Sequence, residues 1–185
     1  MRLRIVAFLG WWVLAITSAL VCSTVAAASA GTPFVSKRNG YSIVLPGSTA
    51  HWFAEYATDN WTGTTIPGID DPQLDTFHDY QTGRLYLLAT RPATSLQAWT
   101  KFVASAHPSD CSGARPLPAS SVGGSPARVL TWSCSDGYQV FLLAAVHAHR
   151  GYLLLVAWPT NLPRASGRRA FDSARRSFRF LNSAG

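Results

Sequence analysis

Two histidines, His147 and His149, have the residue type and the spacing of a partial metal site. They stand two positions apart near the end of an apolar run of strand length, and side chains two apart in a strand point to the same face. Two imidazoles on one face can share a metal ion, with His78 or Asp79 as a candidate third ligand. The alternative, which we favour, is a packed His147 and a turn residue at His149. We therefore expect no metal and no cofactor.

Other arrangements that support catalysis are missing from the sequence. A Gly-x-Ser-x-Gly motif, which positions the nucleophile of many serine hydrolases, does not occur. Four aspartates, which could bind calcium, lack the regular spacing of an EF-hand loop: Asp70, Asp71, Asp75 and Asp79. Solvated loop charges are the better interpretation of that cluster. We expect a protein without enzymatic activity.

Arginines dominate the last predicted helix, residues 164–179. At about 100° per residue, its apolar residues fall on one side: Ala170, Phe171, Ala174 and Phe178. Six arginines fall on the opposite side: Arg164, Arg168, Arg169, Arg175, Arg176 and Arg179. Such a face can bind anionic lipid headgroups, an acidic envelope polymer or an acidic protein. The alternative is a solvated face on which Asp172 pairs with arginines three and four positions away.

Aromatic residues near a predicted long loop suggest a second contact surface. They are Trp52, Phe53 and Trp61. The alternative is that they fill the core, which is the commoner fate of tryptophan. We expect Trp52 and Trp61 to join the arginines as the partner surface.

Length and charge indicate a single basic domain. The chain has 185 residues and a formal charge of +7, from 16 Lys and Arg against 9 Asp and Glu. Arg2 and Arg4 lie in the leader described next, so the 14 remaining basic residues give the rest of the chain a charge of +5. We expect one moderately basic domain over residues 31–185.

The first 30 residues have the three-part pattern of a secretory signal. A basic start at residues 1–4 precedes an apolar run over residues 5–21, and the small residues Ala28-Ser-Ala30 offer a cleavage site. The alternative is an uncleaved anchor, because the apolar run approaches the roughly 20 residues that span a bilayer. We expect a secreted or extracytoplasmic protein, tethered by this segment if it is retained, and no nucleic-acid partner.

Cysteine usage agrees with export. Removal of the leader also removes Cys22 and leaves the pair Cys111 and Cys134. An even pair in an oxidising compartment favours one disulfide, with two free thiols as the alternative. A zinc site is disfavoured because no Cys-x-x-Cys pair is present.

The elements that position these residues are organised around residues 126–159. Three apolar runs there are separated by Asp136-Gly137 and Arg150-Gly151, which are turn signals. This pattern predicts three consecutive antiparallel strands. The second and third runs are apolar on both alternating faces, so we expect a sheet that is covered on both sides.

Shorter elements flank that core. Residues 31–38 look like a tether, and strands are predicted at residues 40–46, 52–56, 74–80, 84–90 and 121–124. A long irregular loop is expected at residues 58–73. Ser95 or Thr94 caps a helix, and His107-Pro108 ends it. The apolar stripe of this helix is Leu96, Trp99, Phe102 and Val103.

The order of these elements and three short motifs resemble the PsbP-like superfamily, and within it the exported proteins of actinobacteria. The motifs are Tyr-x-Ile-x-Leu-Pro at residues 41–46, Gly-Gly-x-Pro-Ala-Arg at 123–128 and Ser-Phe-Arg-Phe at 177–180. The resemblance covers residues 34–180 and implies an α+β fold, with an antiparallel sheet covered by helices on both faces in an α/β/α sandwich. Members include a photosystem accessory subunit, a nuclear-transport factor that binds a small GTPase, and bacterial envelope proteins. The resemblance therefore implies binding of macromolecules without catalysis, and it transfers no catalytic residue.

These observations lead to one functional expectation and one alternative. We expect an exported, non-enzymatic domain that binds an envelope protein or an anionic surface through its arginine helix and aromatic loop. The alternative is a small-molecule or metal-binding module that uses His147 and His149.

Overall fold

A computed structural model of the chain describes residues 31–56, 61, 64–65 and 74–181. The leader and most of the predicted loop at residues 58–73 lie outside these ranges. The strands are β1 (Thr32–Ser36), β2 (Tyr41–Leu45), β3 (Phe53–Tyr56), β4 (Thr64–Thr65), β5 (Leu74–Asp79), β6 (Arg84–Pro92), β7 (Arg115–Pro116), β8 (Ser120–Val122), β9 (Ser125–Ser133), β10 (Tyr138–His147), β11 (Arg150–Pro159) and β12 (Arg179–Phe180). The helices are α1 (Leu96–Ser105) and α2 (Arg164–Ser177), with a 3₁₀ turn at Thr49–His51. No helix within the described ranges is long and apolar enough to cross a bilayer.

The main sheet confirms the predicted run of antiparallel strands. Its order is β4-β3-β5-β6-β11-β10-β9-β7, and β8 also pairs with β9. β3 and β4 pair in parallel, whereas the other neighbours in this sheet are antiparallel. The predicted α+β class and antiparallel sheet are therefore correct.

Alternate residues of β10 pack into two different apolar clusters. Every second residue from Phe141 to Ala145 belongs to a cluster that includes Phe171 of α2, which we call the α2 cluster. The residues between them belong to a second cluster that includes Trp99 of α1, which we call the α1 cluster. Successive side chains of a strand point to opposite faces, which explains the absence of a polar face in the sequence of β10.

A second, small sheet corrects the prediction of a tether at residues 31–38. β1 pairs antiparallel with β2, and β12 pairs with the other edge of β2. Phe34 of β1 is fully buried. The turn between β1 and β2 contains Asn39-Gly40, and Gly40 has a φ of 73°, which glycine adopts without strain. Asn-Gly is a strong hairpin signal that the tether interpretation overlooked.

A buried carboxylate links the small sheet to the main sheet. Asp75 of β5 accepts hydrogen bonds from the Tyr41 hydroxyl of β2 and from Asn39 Nδ2, the latter at 2.9 Å. Thr90 of β6 donates to Asn39 Oδ1 at 3.3 Å. Burial, and then the negative charge of Asp75, raise the pKa of Tyr41 well above its usual value. Tyr41 is therefore a hydrogen-bond donor throughout the ordinary pH range.

The disulfide expected from the cysteine count is present. Cys111 and Cys134 are bonded across a sequence separation of 23 residues. Cys134 follows β9, and Cys111 lies in the segment after α1. The bond therefore fastens that segment to the end of β9.

Candidate functional site

The arginines of α2 lie mostly on the surface, as the helical periodicity predicts. Arg164, Arg168, Arg169 and Arg176 are exposed, whereas Phe171 is completely buried. We call these four residues the arginine face. The helix is shorter than predicted, because it ends at Ser177 and the chain continues as β12.

Arg179 therefore belongs to β12 and not to the helix, which corrects its assignment to the arginine face. Its neighbours Phe178 and Phe180 pack on Tyr152 of β11, with ring centroids 6.1 and 4.7 Å from that ring. An apolar residue on each side of an arginine is the alternation of a strand. The same alternation is visible in the sequence, but the helical periodicity of the preceding residues extends the predicted helix over it.

Arg175 is also a structural residue. Its Nη1 donates to Ser120 Oγ and to the Ser121 carbonyl oxygen of β8, the latter at 3.3 Å. Its side chain is 24% exposed, and it lies 3.6 Å from Asp172. Arg175 thus fastens α2 to an edge strand, and no local sequence pattern indicates its contacts with the two serines.

Asp172 is shared between two arginines, as the solvated-face interpretation expects. Arg168 Nε lies 3.0 Å from Asp172 Oδ2, and the pair is four residues apart on the helix. Exposed pairs of this kind contribute only about 0.3–0.5 kcal/mol. Arg169 donates to Ser166 Oγ at 2.9 Å, which is a local contact within the helix.

The charge of the arginine helix exceeds what Asp172 can neutralise. Residues 164–179 contain six arginines and one aspartate, a charge of +5. The rest of residues 31–185 contains 8 basic and 8 acidic residues, so its net charge is zero. The whole excess charge of the domain is therefore located on α2 and the two residues that follow it.

The tryptophans do not form the predicted second surface. Trp52 is 1% exposed, and its Nε1 donates to the Pro46 carbonyl oxygen at 2.9 Å. Trp61 is half-buried, with its ring centroid 5.0 Å from that of Phe77 and 6.4 Å from that of Phe34. The core-filling alternative is correct for Trp52, and Trp61 packs against the α2 cluster.

The proposed metal ligands are not brought together. His78 of β5 lies opposite Leu85 of β6, and Leu85 lies opposite Ala157 of β11. Ala157 in turn lies opposite Val140 of β10, whereas His147 of β10 lies opposite Arg150. His78 therefore lies at the opposite end of the sheet, seven residues along β10 from His147. Asp79 is also at that end, in an ion pair with Arg84. The third-ligand hypothesis is wrong, and no group of three metal-binding side chains occurs in the described ranges.

His147 and His149 themselves have separate environments. The His147 ring stacks on Phe180 with centroids 4.3 Å apart, and its Nδ1 lies 3.2 Å from Ser125 Oγ. His149 is exposed and forms a two-residue turn with Ala148, at φ values of 59° and 47°. These are the packed and turn roles of the favoured alternative. Ser125 beside His147 is a serine and histidine pair, but no carboxylate of the described residues contacts that ring.

The two described members of the aspartate cluster are occupied. Asp75 is the buried acceptor described above, and Asp79 accepts from Thr82 and from Arg84. Burial alone would raise the pKa of Asp79, but the hydrogen bonds of Arg84 and Thr82 lower it below its usual value. Neither residue is a solvated loop charge, which corrects that interpretation. Asp70 and Asp71 lie outside the described ranges.

Comparison with known proteins shows a PsbP-like fold. No family model and no curated protein matches the chain. The solution structure of cyanobacterial PsbP (CyanoP) from Synechocystis sp. PCC 6803 is similar, with a TM-score of 0.56 and 15% identity. The match covers 86% of this chain and 97% of that one.

A crystal structure of a protein from Bacteroides thetaiotaomicron is also similar. Its TM-score is 0.52 at 8% identity, over 85% of this chain. The match covers 50% of that protein, so this chain spans about half of its length. At such low identities the likeness concerns the fold alone, and the function has to be argued from the surface.

Proposed function

We propose that this chain is an exported, non-enzymatic binding domain that contacts an anionic surface of the cell envelope through the arginine face. One observation carries the proposal: residues 164–179 hold the whole +5 excess charge of the domain. An evenly distributed charge would favour solubility alone, whereas a charge concentrated on one helix attracts an anionic partner to one side of the molecule.

The finer features that accompany this proposal come from the sequence. Residues 1–30 act as a cleaved signal peptide or as an anchor, and residues 31–185 form one domain. The domain is an α/β/α sandwich, a proposal supported by the separate clusters in which α1 and α2 pack. The exported actinobacterial proteins are its proposed relatives.

Binding of residues 31–185 to vesicles that contain anionic phospholipid, and to a soluble acidic polymer, tests the proposal. The variant combines Arg164→Gln, Arg169→Gln and Arg176→Gln, which leaves the Asp172 and Ser120 contacts intact. Each arginine near an anionic membrane contributes about 1 kcal/mol. The triple variant should therefore bind about 100-fold more weakly, and wild-type binding should fall as salt is raised.

A matched control separates the arginine face from total charge. Lys101→Gln, Arg115→Gln and Arg128→Gln remove the same charge at exposed positions outside α2. The proposal predicts near wild-type binding by this control. Equal losses in both triple variants, or no binding by the wild type to either probe, would refute it.

A further inference from the structure

A cavity of about 350 Å³ lies on the face of the main sheet that carries the α1 cluster. It is at the end of the sheet where the β5–β6 and β9–β10 turns meet. Its floor is apolar and comes from the central strands: Leu85, Val140, Leu155 and Ala157. Its walls are largely aromatic: His78, Tyr80, Trp132 and Tyr138.

The cavity exists because α1 is short. Its 10 residues span about 15 Å, whereas the 10 residues of β10 span about 34 Å. The helix packs at the other end of the sheet, where Trp99 Nε1 donates to the Tyr152 carbonyl oxygen at 2.9 Å. Pro108 and Cys134, at the two sides of the disulfide, close part of the uncovered end.

The dimensions and the exposed rim suit a small ligand. Ligand pockets in proteins measure about 300–1,000 Å³, so this cavity is at the small end of that range. Tyr80 is 61% exposed at the rim and stacks on His78 with ring centroids 5.5 Å apart. Exposed aromatic rings beside an apolar floor favour a flat aromatic molecule, which stacks on them.

The charges at the cavity disfavour an anionic ligand. Arg84 is paired with Asp79, and its guanidinium lies 5.5 and 5.4 Å from the ring centroids of Trp52 and Trp158. Asp136 is exposed, and its carboxylate accepts from the Tyr138 backbone N–H at 3.3 Å. The Asp136 carboxylate would repel an anion, and Arg84, the arginine that lines the cavity, is already paired with Asp79.

A donor in the wall has no acceptor. Trp132 is 4% exposed, and its Nε1 is buried without a hydrogen-bond partner among the described residues. A buried indole N–H usually has a partner, and leaving it unpaired is costly. Trp132 lines the cavity, so an acceptor on a ligand that reached this N–H would recover that cost, whereas an ammonium group offers only donors.

We propose that this cavity binds a compact, uncharged aromatic molecule that carries one hydrogen-bond acceptor, which pairs with Trp132 Nε1. The site is distinct from the arginine face, since its floor belongs to the α1 cluster and α2 packs in the other cluster. The proposal of this ligand site is independent of the proposed function.

Four probes of similar size test each part of the proposal by titration of the isotope-labelled full chain, followed by NMR. Acetophenone is aromatic and uncharged and has an acceptor; ethylbenzene lacks the acceptor, benzoate adds a charge, and acetylcyclohexane lacks the aromatic ring. Acetophenone should bind most tightly and shift the Trp132 indole signal. Ethylbenzene should bind about fivefold more weakly, the equivalent of one net hydrogen bond.

Trp132→Phe identifies the donor, because it removes the N–H and keeps an aromatic ring. The variant should bind acetophenone about fivefold more weakly and ethylbenzene within twofold of the wild type. Equal losses for both probes, or equal affinities of the wild type for both, would overturn the role of the N–H. Failure of acetophenone to shift any resonance of the cavity residues would overturn the site itself.

Ala157→Leu provides a second variant that does not depend on Trp132. A larger side chain on the floor should fill the cavity and abolish acetophenone binding in a protein that keeps its wild-type spectrum elsewhere. Undiminished binding by this folded variant would place the probe elsewhere and refute the assignment. The two triple variants of the arginine-face experiment should bind acetophenone like the wild type.

Discussion

Replacement of Tyr86 by phenylalanine should make the protein more resistant to alkali. Tyr86 is fully buried in the α2 cluster, and its hydroxyl has no hydrogen-bond partner among the described residues. Burial, partly offset by the nearby positive charge of Arg84, raises the pKa of Tyr86 far above its usual value. The folded protein therefore keeps this phenol neutral at a pH where the unfolded chain ionises it.

The sign and the size of the effect follow from this difference. The contribution of the neutral Tyr86 phenol to the free energy of unfolding is fully present below the unfolded pKa of about 10. It is lost as the pH rises above that value. At 1.36 kcal/mol per unit, pH 11.5 should cost the wild type about 2 kcal/mol through this one group. Tyr86→Phe removes that cost, and it should also add about 1 kcal/mol at pH 8 by deleting an unpaired hydroxyl.

Urea unfolding of residues 31–185, followed by circular dichroism at pH 8 and pH 11.5, measures this effect. The shorter chain lacks Cys22, so no free thiol can exchange with the disulfide at high pH. Burial also raises the pKa values of Tyr41 and Tyr152, so the variant will still lose some stability in alkali. Tyr80→Phe, which removes a hydroxyl from an exposed ring, should follow the wild type. The same loss of stability between the two pH values in the wild type and Tyr86→Phe would refute the reasoning.

Two further changes test the packing. Cys111→Ser with Cys134→Ser should lower the free energy of unfolding by about 3 kcal/mol, because the disulfide closes a loop of 23 residues in the unfolded chain; an unchanged urea midpoint would contradict this. Gly151→Ala should cost about 1–3 kcal/mol in the same assay, since its new Cβ would lie 2.5 Å from the Trp99 ring. Gly113→Ala, with no atom within 4 Å of its new Cβ, is the control and should be nearly neutral; equal losses at the two glycines would exclude the ring contact as the cause.

The central strands could be predicted from sequence because their signals are local. Apolar runs of strand length and the turns between them are sufficient to define β9, β10 and β11 and their antiparallel pairing. The same logic would have found β1, since Asn39-Gly40 separates two alternating runs. The prediction of a tether at residues 31–38 gives that hairpin signal no weight.

The candidate sites were harder to predict because they depend on strand order. Whether His78 approaches His147 is decided by which ends of β5 and β10 are adjacent, and β6 and β11 intervene between those strands. Local patterns contain no information on that order. Likewise, the burial of Trp52 depends on contacts with distant elements, which composition and spacing do not reveal.

The cavity beside Trp132 depends on a mismatch of lengths. The sequence predicts both α1 and the strands beneath it, yet the position of the helix along the sheet is set by Trp99 and Gly151. Only the docked position shows which end of the sheet remains uncovered. The arginine face, in contrast, follows from helical periodicity within one segment: four of the six predicted arginines are exposed on α2, and a fifth, Arg179, is exposed on β12.

The small sheet makes the order in which the chain emerges from a ribosome or a translocon important. Phe180 of β12 pairs with Tyr41 of β2, which lies 139 positions earlier in the chain. β1 and β2 emerge first and can form their hairpin early, but the outer edge of β2 stays unpaired until the segment after α2 arrives. An unpaired strand edge is a template for association with other chains. Until that last strand arrives, this edge of β2 is open to pairing with another chain, and truncation before residue 179 would leave it open permanently.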